Sequence, residues 1–192
     1  MATNPITITS PEHDNDSINI ELALPSDASK IMEIKRAAWM KAYVSPEHGV
    51  TEQTMDLKFS DQEFREGVIN WEKGIASEDA NPNKQTYVAR LNSEVVGYVS
   101  PIKKQGQSRI GALYVSPDCQ GRGIGTSLIN QAIEFLGRDQ DIAVHVVSYN
   151  QPAINFYEKI GFQKTRIVIP EENIKEDTSL LLPEIEMVLK KI

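Results

Sequence analysis

The 192 residues suit one domain with a sizeable core of its own, and a composition 40% hydrophobic and 24% charged is ordinary for a globular chain. A formal net charge of -7 argues against a broad electrostatic grip on nucleic acid, and the single cysteine, Cys119, excludes an internal disulfide framework and a cysteine-based zinc site. No stretch reaches the roughly 18 apolar residues a membrane span requires, so neither nucleic acid nor a membrane is an expected partner, and no metal is expected.

Residues 1–17 are polar and acidic and lack a basic run ahead of an apolar segment, so they read as a flexible lead-in rather than a secretory signal. One domain is expected from 18 to 192, with a cytoplasmic location as the default. INIELAL, residues 18–24, reads as a first strand. Pro25-Ser26-Asp27 then offers a turn and a cap for a helix over 28–45, with Ile31, Ile34 and Ala38 on one side. Pro46 to Gly49 breaks that helix, and a helical stretch over 52–71 follows, as one helix or two. Asn81 to Lys84 is a turn, after which TYVAR and EVVGYVS pair as a hairpin around Asn92-Ser93. RIGALYV, residues 109–115, is the next strand. A glycine-rich turn leads into a helix carrying Leu128, Ile129, Ala132, Ile133, Phe135 and Leu136. IAVHVV is a strand, 151–160 a short helix with Pro152 early in it, and 162–169 and 184–189 are the last two strands. This order predicts an α/β fold, one mixed sheet with helices packed on it.

The turn holds glycines at 121, 123 and 125 between a strand and a helix. Such glycines allow a tight backbone whose amides, with the first turn of the helix, can cradle an anion such as a pyrophosphate. Arg122 can add charge or face solvent. Close packing alone would also suit the same glycines. No Gly-Lys-Ser/Thr follows, and the spacing does not match GxGxxG because position 126 is Thr, so neither a Walker loop nor a dinucleotide fingerprint is present.

The run LYVSPDCQGRGIGTSLI resembles the coenzyme-A motif of the GCN5-related N-acetyltransferase family, with Gln120, Gly123 and Gly125 at the motif positions. A second segment similar to that family, NQPAINFYEKIGF, runs from Asn150 to Phe162. The resemblance implies the splayed mixed sheet of that family, with acetyl-CoA as cosubstrate between RIGALYV and IAVHVV. It implies that Leu113, Tyr114 and Val115 flank the pantetheine arm, with backbone groups of Leu113 and Val115 aligning it. It places the pyrophosphate on the amides of Gln120, Gly121, Arg122, Gly123, Ile124, Gly125 and Thr126, and the pantetheine near Asn150. It makes Tyr157 the acid that protonates the departing thiolate. Read from its residues alone, Tyr157 could equally be packing, and Asn150 could simply cap the helix after it.

Direct transfer needs no enzyme nucleophile, so Cys119, without an evident local base, reads as structural or incidental. Many members of the family carry a Glu on the strand before the cofactor turn, and RIGALYV has none. A water chain or His145 is the alternative route for the amine proton. His145 points opposite to Val144 and Val146, on a face that could be structural or substrate-facing. His48 is a weaker candidate for acceptor contact. Trp39, Tyr43 and Phe59 line an acceptor pocket or fill the helix–sheet core. Acidic residues from Glu47 to Asp79 and from Glu171 to Asp177 form either a rim that steers a cationic amine or a merely solvated surface. The expected activity is N-acetylation of a primary amine on a small molecule or peptide, with cationic acceptors among the candidates: a polyamine, an amino sugar or a peptide amine. The alternative is a noncatalytic acyl-CoA-binding or sensing module. Late strands and helices often assemble in this family, which leaves room for a homodimer.

Overall fold

The computed structural model describes residues 18–168 and 182–192, so the lead-in and the acids from Glu171 to Asp177 lie outside the described residues. The strands are β1 (Ile18–Leu22), β2 (Tyr87–Leu91), β3 (Glu94–Ile102), β4 (Gln107–Val115), β5 (Asp141–Val147), β6 (Gln163–Val168) and β7 (Glu184–Leu189). The helices are α1 (Ala28–Tyr43), α2 (Glu52–Lys58), α3 (Asp61–Ala76), α4 (Ile124–Leu136) and α5 (Gln151–Ile160). The strands form one seven-stranded sheet in the order β1-β2-β3-β4-β5-β7-β6. Every neighbouring pair is antiparallel except β4 and β5, which run parallel. This is the mixed α/β sheet expected from the sequence.

Local chemistry explains the elements. The β2–β3 hairpin turns on Asn92 and Ser93, both at positive φ (51° and 70°), the twist that a two-residue hairpin requires. The helical stretch expected over 52–71 is two helices that extend to Ala76. Phe59 leaves helical geometry, and the Ser60 side chain accepts the Glu63 amide at 3.5 Å to start α3. The first strand stops at Leu22 rather than Leu24, where Pro25 opens a short 3-10 turn. The first helix stops at Tyr43, because Val44 is already extended ahead of Pro46.

Side chains sort to the two faces of the sheet by strand parity. Leu113 and Val115 join Ile124, Leu128, Ile129 and Ile154 beneath α4 and α5. Ala112 and Tyr114 pack instead with Tyr98, Val88 and Ile31 beneath α1 and α3. Leu128 and Ile129 are fully buried, each worth about 1.5–3 kcal/mol relative to exposure. They anchor α4 to the sheet, and with it the glycine turn at its N-terminus.

Candidate active site

β4 and β5 stay paired only from Gln107 opposite Asp141 to Ile110 opposite Val144. Beyond that point the two strands part. The orientation of the freed peptide groups follows from their other neighbours. The Ser116 amide donates to the Val96 carbonyl at 2.8 Å, so by antiparallel alternation Tyr114 and Ala112 bond to β3. The N–H and C=O groups of Leu113 and Val115 therefore face the gap. On the far side the Ser148 amide donates to the Pro183 carbonyl at 2.8 Å. The same alternation ties Val144 and Val146 to β7 and turns the peptide groups of His145 and Val147 toward the gap.

The gap opens into a cleft of about 770 Å³ lined by β4 from Ile110 to Val115, the glycine turn, β5 from Val144 to Val146, and parts of α1 and α5. Gly121 and Gly123 have φ of 82° and 80°, a conformation that other residues rarely adopt. Gly123 is the N-cap of α4, which has no side-chain cap. The first-turn amides of Ile124, Gly125 and Thr126 therefore have no intrahelical acceptor, and all three residues line the cleft. Gly125 is helical. A Cβ there would sit 3.5 Å from the Phe156 ring and 3.9 Å from Val115, in the throat between turn and strand. Gln120 spans the entrance: its Nε2 donates to the Val115 carbonyl at 3.3 Å and its Oε1 accepts Lys41 Nζ at 3.0 Å. Peptide donors beside a helix N-terminus, next to a strand edge left unpaired, fit a pyrophosphate and an extended arm such as those of coenzyme A.

Tyr157 is buried on the α5 wall, edge-on to Phe156 and Phe162 with ring centres 5.1 and 5.3 Å away. Burial, with a smaller contribution from Tyr114, pushes its hydroxyl well above the ordinary tyrosine range. It therefore keeps its proton at neutral pH. Asn150 both lines the cleft and caps α5, its Oδ1 accepting the Ala153 amide at 3.3 Å.

A second group of polar side chains lies toward α1. The Tyr114 hydroxyl accepts Trp39 Nε1 at 3.0 Å. Burial raises both Tyr43 and Tyr114, Tyr43 far above its usual range, and the Glu184 carboxylate adds to the rise in each. Tyr149 donates to the Tyr43 carbonyl at 3.0 Å and stacks on His48 at 4.1 Å, so His48 approaches the cleft through Tyr149. His145 has Nδ1 3.3 Å from Glu184 Oε2, while its Nε2 is 3.7 Å from Glu186 Oε2.

The structure thus gathers Leu113, Tyr114, Val115, Gln120, Gly121, Gly123, Ile124, Gly125, Thr126, His145, Asn150 and Tyr157 around one cleft. Arg122 is exposed and is not among the lining residues. Of the aromatic trio, Tyr43 lines the cleft and Phe59 is core. Trp39 acts from behind Tyr114. None of the acids from Glu47 to Asp79 lines the cleft, and Glu78 is buried with both oxygens taken by Thr86. The acid against His145 is Glu184, which is not itself among the lining residues. Sequence reasoning missed it, although two glutamates alternating in a strand of otherwise apolar residues were the available signal. Cys119 also lines the cleft. Among the described residues no cluster of His, Cys, Asp and Glu could hold a metal ion, and no helix is long and apolar enough to cross a membrane.

Residues 35–162 match the model of the acetyltransferase (GNAT) family. An uncharacterized N-acetyltransferase of Methanocaldococcus jannaschii is 38% identical over 92 residues, which are 43% of this chain and 40% of that protein. The chain therefore spans less than half the length of that relative. The crystal structure of a PaiA N-acetyltransferase from Thermoplasma acidophilum in complex with coenzyme A superposes with a TM-score of 0.64 at 21% identity, covering 92% of this chain and 99% of that one. A putative acetyltransferase from Salmonella typhimurium, solved with its cofactor acetyl-CoA, gives 0.63 at 19% identity and covers 90% and 93%.

Proposed function

The chain belongs to the acetyltransferase (GNAT) family, and from that premise we propose that it transfers the acetyl group of acetyl-CoA directly to a primary amine. The observation that carries this reading is the opened β4–β5 edge. Backbone groups of Leu113 and Val115, the amides at the start of α4 and the Tyr157 side chain all meet one cleft. Ile124, Gly125 and Thr126, with the preceding turn, would hold the pyrophosphate, and Asn150 would flank the arm. The thioester supplies the acetyl group and a thiolate leaving group. The chain's part is to polarise the carbonyl with a β4 amide, an arrangement that stabilises growing negative charge without reorganisation. Tyr157 then donates a proton to the sulfur. A cationic acceptor, such as a polyamine, an amino sugar or a peptide amine, suits an acceptor end that carries glutamate.

β4 bears no carboxylate, and that observation favours a second reading, a module that binds acyl-CoA without turnover. Incubation of the full chain with acetyl-CoA and a panel of spermidine, glucosamine and a lysine-containing peptide, with free CoA thiol measured over time, separates the two. Amine-dependent CoA release supports transfer. Tight acetyl-CoA binding with no release across the panel would replace the transferase with the binding module.

A further inference from the structure

The geometry points to Glu184 as a positioning residue: it holds His145 as the base for the acceptor amine and supplies the negative charge that receives a cationic acceptor. This deepens the transferase reading and rests on it. β7 places Glu184 opposite Val147 and Glu186 opposite His145, so all three polar side chains share the α1 face of the sheet. Glu186 is already engaged, accepting Thr165 Oγ1 at 3.0 Å and pairing with Arg166 at 3.2 Å. Its charge is balanced from β6. Glu184 is different. Among the described residues its one ion-pair contact is His145 Nδ1 at 3.3 Å, and its side chain is 32% exposed.

In the tautomer that donates from Nδ1 to Glu184, the lone pair of His145 sits on Nε2. That nitrogen is 3.7 Å from Glu186, beyond hydrogen-bond distance. His145 lines the cleft just past the point where β4 and β5 part. The other titratable groups facing this pair are Tyr43 from α1 and Tyr114 from β4, both held neutral by burial. Glu186 also faces it, with Arg166 behind. The acceptor end thus carries one unbalanced negative charge beside one imidazole, across the sheet from the Tyr157 wall.

The protons balance. An acceptor ammonium gives one proton to His145 Nε2, and Glu184 offsets the charge of the imidazolium, which later releases that proton to solvent. The neutral amine forms the C–N bond and the C–S bond breaks. Tyr157 protonates the thiolate and is itself restored by the second proton, lost from the former amine nitrogen.

The test compares wild type with Glu184→Gln, Glu184→Asp and Glu186→Gln in the full chain. Spermidine, glucosamine and a lysine peptide serve as acceptors between pH 6 and 9.5, and CoA affinity is measured by calorimetry. Glu184→Gln should leave CoA affinity within twofold and lower kcat/KM by roughly 10²-fold, the usual scale of an acid–base contribution. Glu184→Asp should recover most of the rate, a rescue that a merely structural role would not give. Glu186→Gln should cost stability and lower the rate less than Glu184→Gln. A Glu184→Gln enzyme that keeps the wild-type rate overturns the assignment and leaves the transferase reading standing. A wild type that binds acetyl-CoA and acetylates none of the panel overturns both.

Discussion

Between Gln120 and Thr126 the cleft is walled by peptide groups from one continuous stretch of chain. Around Tyr43, Tyr114 and His145 it is walled by side chains brought together from α1, β4 and β5, with Glu184 of β7 against His145. The first wall has its geometry set by glycine torsions and a helix terminus. It costs little to organise and recognises an anion that any acyl-CoA carries. The second wall depends on three-dimensional packing, and its polarity can change with one substitution on any of four elements. A conserved donor and a variable acceptor are what such a division of labour would produce.

Substitutions can break the two walls separately. The largest effect is expected at the donor wall's chemical edge. Tyr157→Phe should lower kcat by roughly 10²-fold or more while CoA affinity, measured by calorimetry, stays within twofold. An unchanged single-turnover rate across several pH values would remove Tyr157 from the chemistry. Next comes the turn. Gly123→Ala must hold φ near 80°, at a cost of about 1–2 kcal/mol. The loop should relax out of register and CoA binding should weaken about tenfold, with circular dichroism unchanged.

The acceptor wall should answer in stability and pH instead. Burial acts to raise the Glu186 carboxyl, but hydrogen bonds from Thr165 and Arg166, with the charges of Arg166 and His145, prevail and hold it below its ordinary value of 4.5. A depressed carboxyl stabilises the fold above its unfolded pKa, and that contribution is lost as pH falls through the folded value. Glu186→Gln should therefore cost about 1–2 kcal/mol near neutrality, with Arg166 screened by solvent. The gap from wild type in thermal melts should close as the pH drops below the ordinary carboxyl value of 4.5 and through the depressed folded one. The smallest effect is expected at Trp39→Phe. It removes the 3.0 Å donor to Tyr114 and keeps an aromatic ring in place. About 1 kcal/mol of stability should go, and the KM for amine should rise more than that for acetyl-CoA.

The same contrast governs what the sequence revealed. Gly121 and Gly123 declare their torsions, and Asn150 and Tyr157 follow at fixed offsets within one helix, so the donor wall was readable as a string. The succession of elements and the single mixed sheet followed from alternation and turns, with boundaries moving by a few residues at Ser60 and Pro25, while the strand order within the sheet did not. Glu184 was not readable. It lies 39 positions beyond His145, and only the antiparallel register of β5 with β7 makes the two neighbours. The acids from Glu47 to Asp79 were left between a rim and a solvated surface for the converse reason: sequence density of charge says nothing about which side of a helix it occupies.

The parting of β4 and β5 has a mechanical side. Four register pairs, Gln107–Asp141 to Ile110–Val144, form the whole hydrogen-bonded seam between the β1–β4 half of the sheet and the β5–β7 half. A ligand that bonds to both freed edges acts as extra stitching across that seam. Since it binds the folded sheet and not the open chain, saturation at a hundred times its Kd adds about 2.7 kcal/mol. The protein should therefore melt noticeably higher when its cleft is filled, and the seam should be where it first comes apart when it is not.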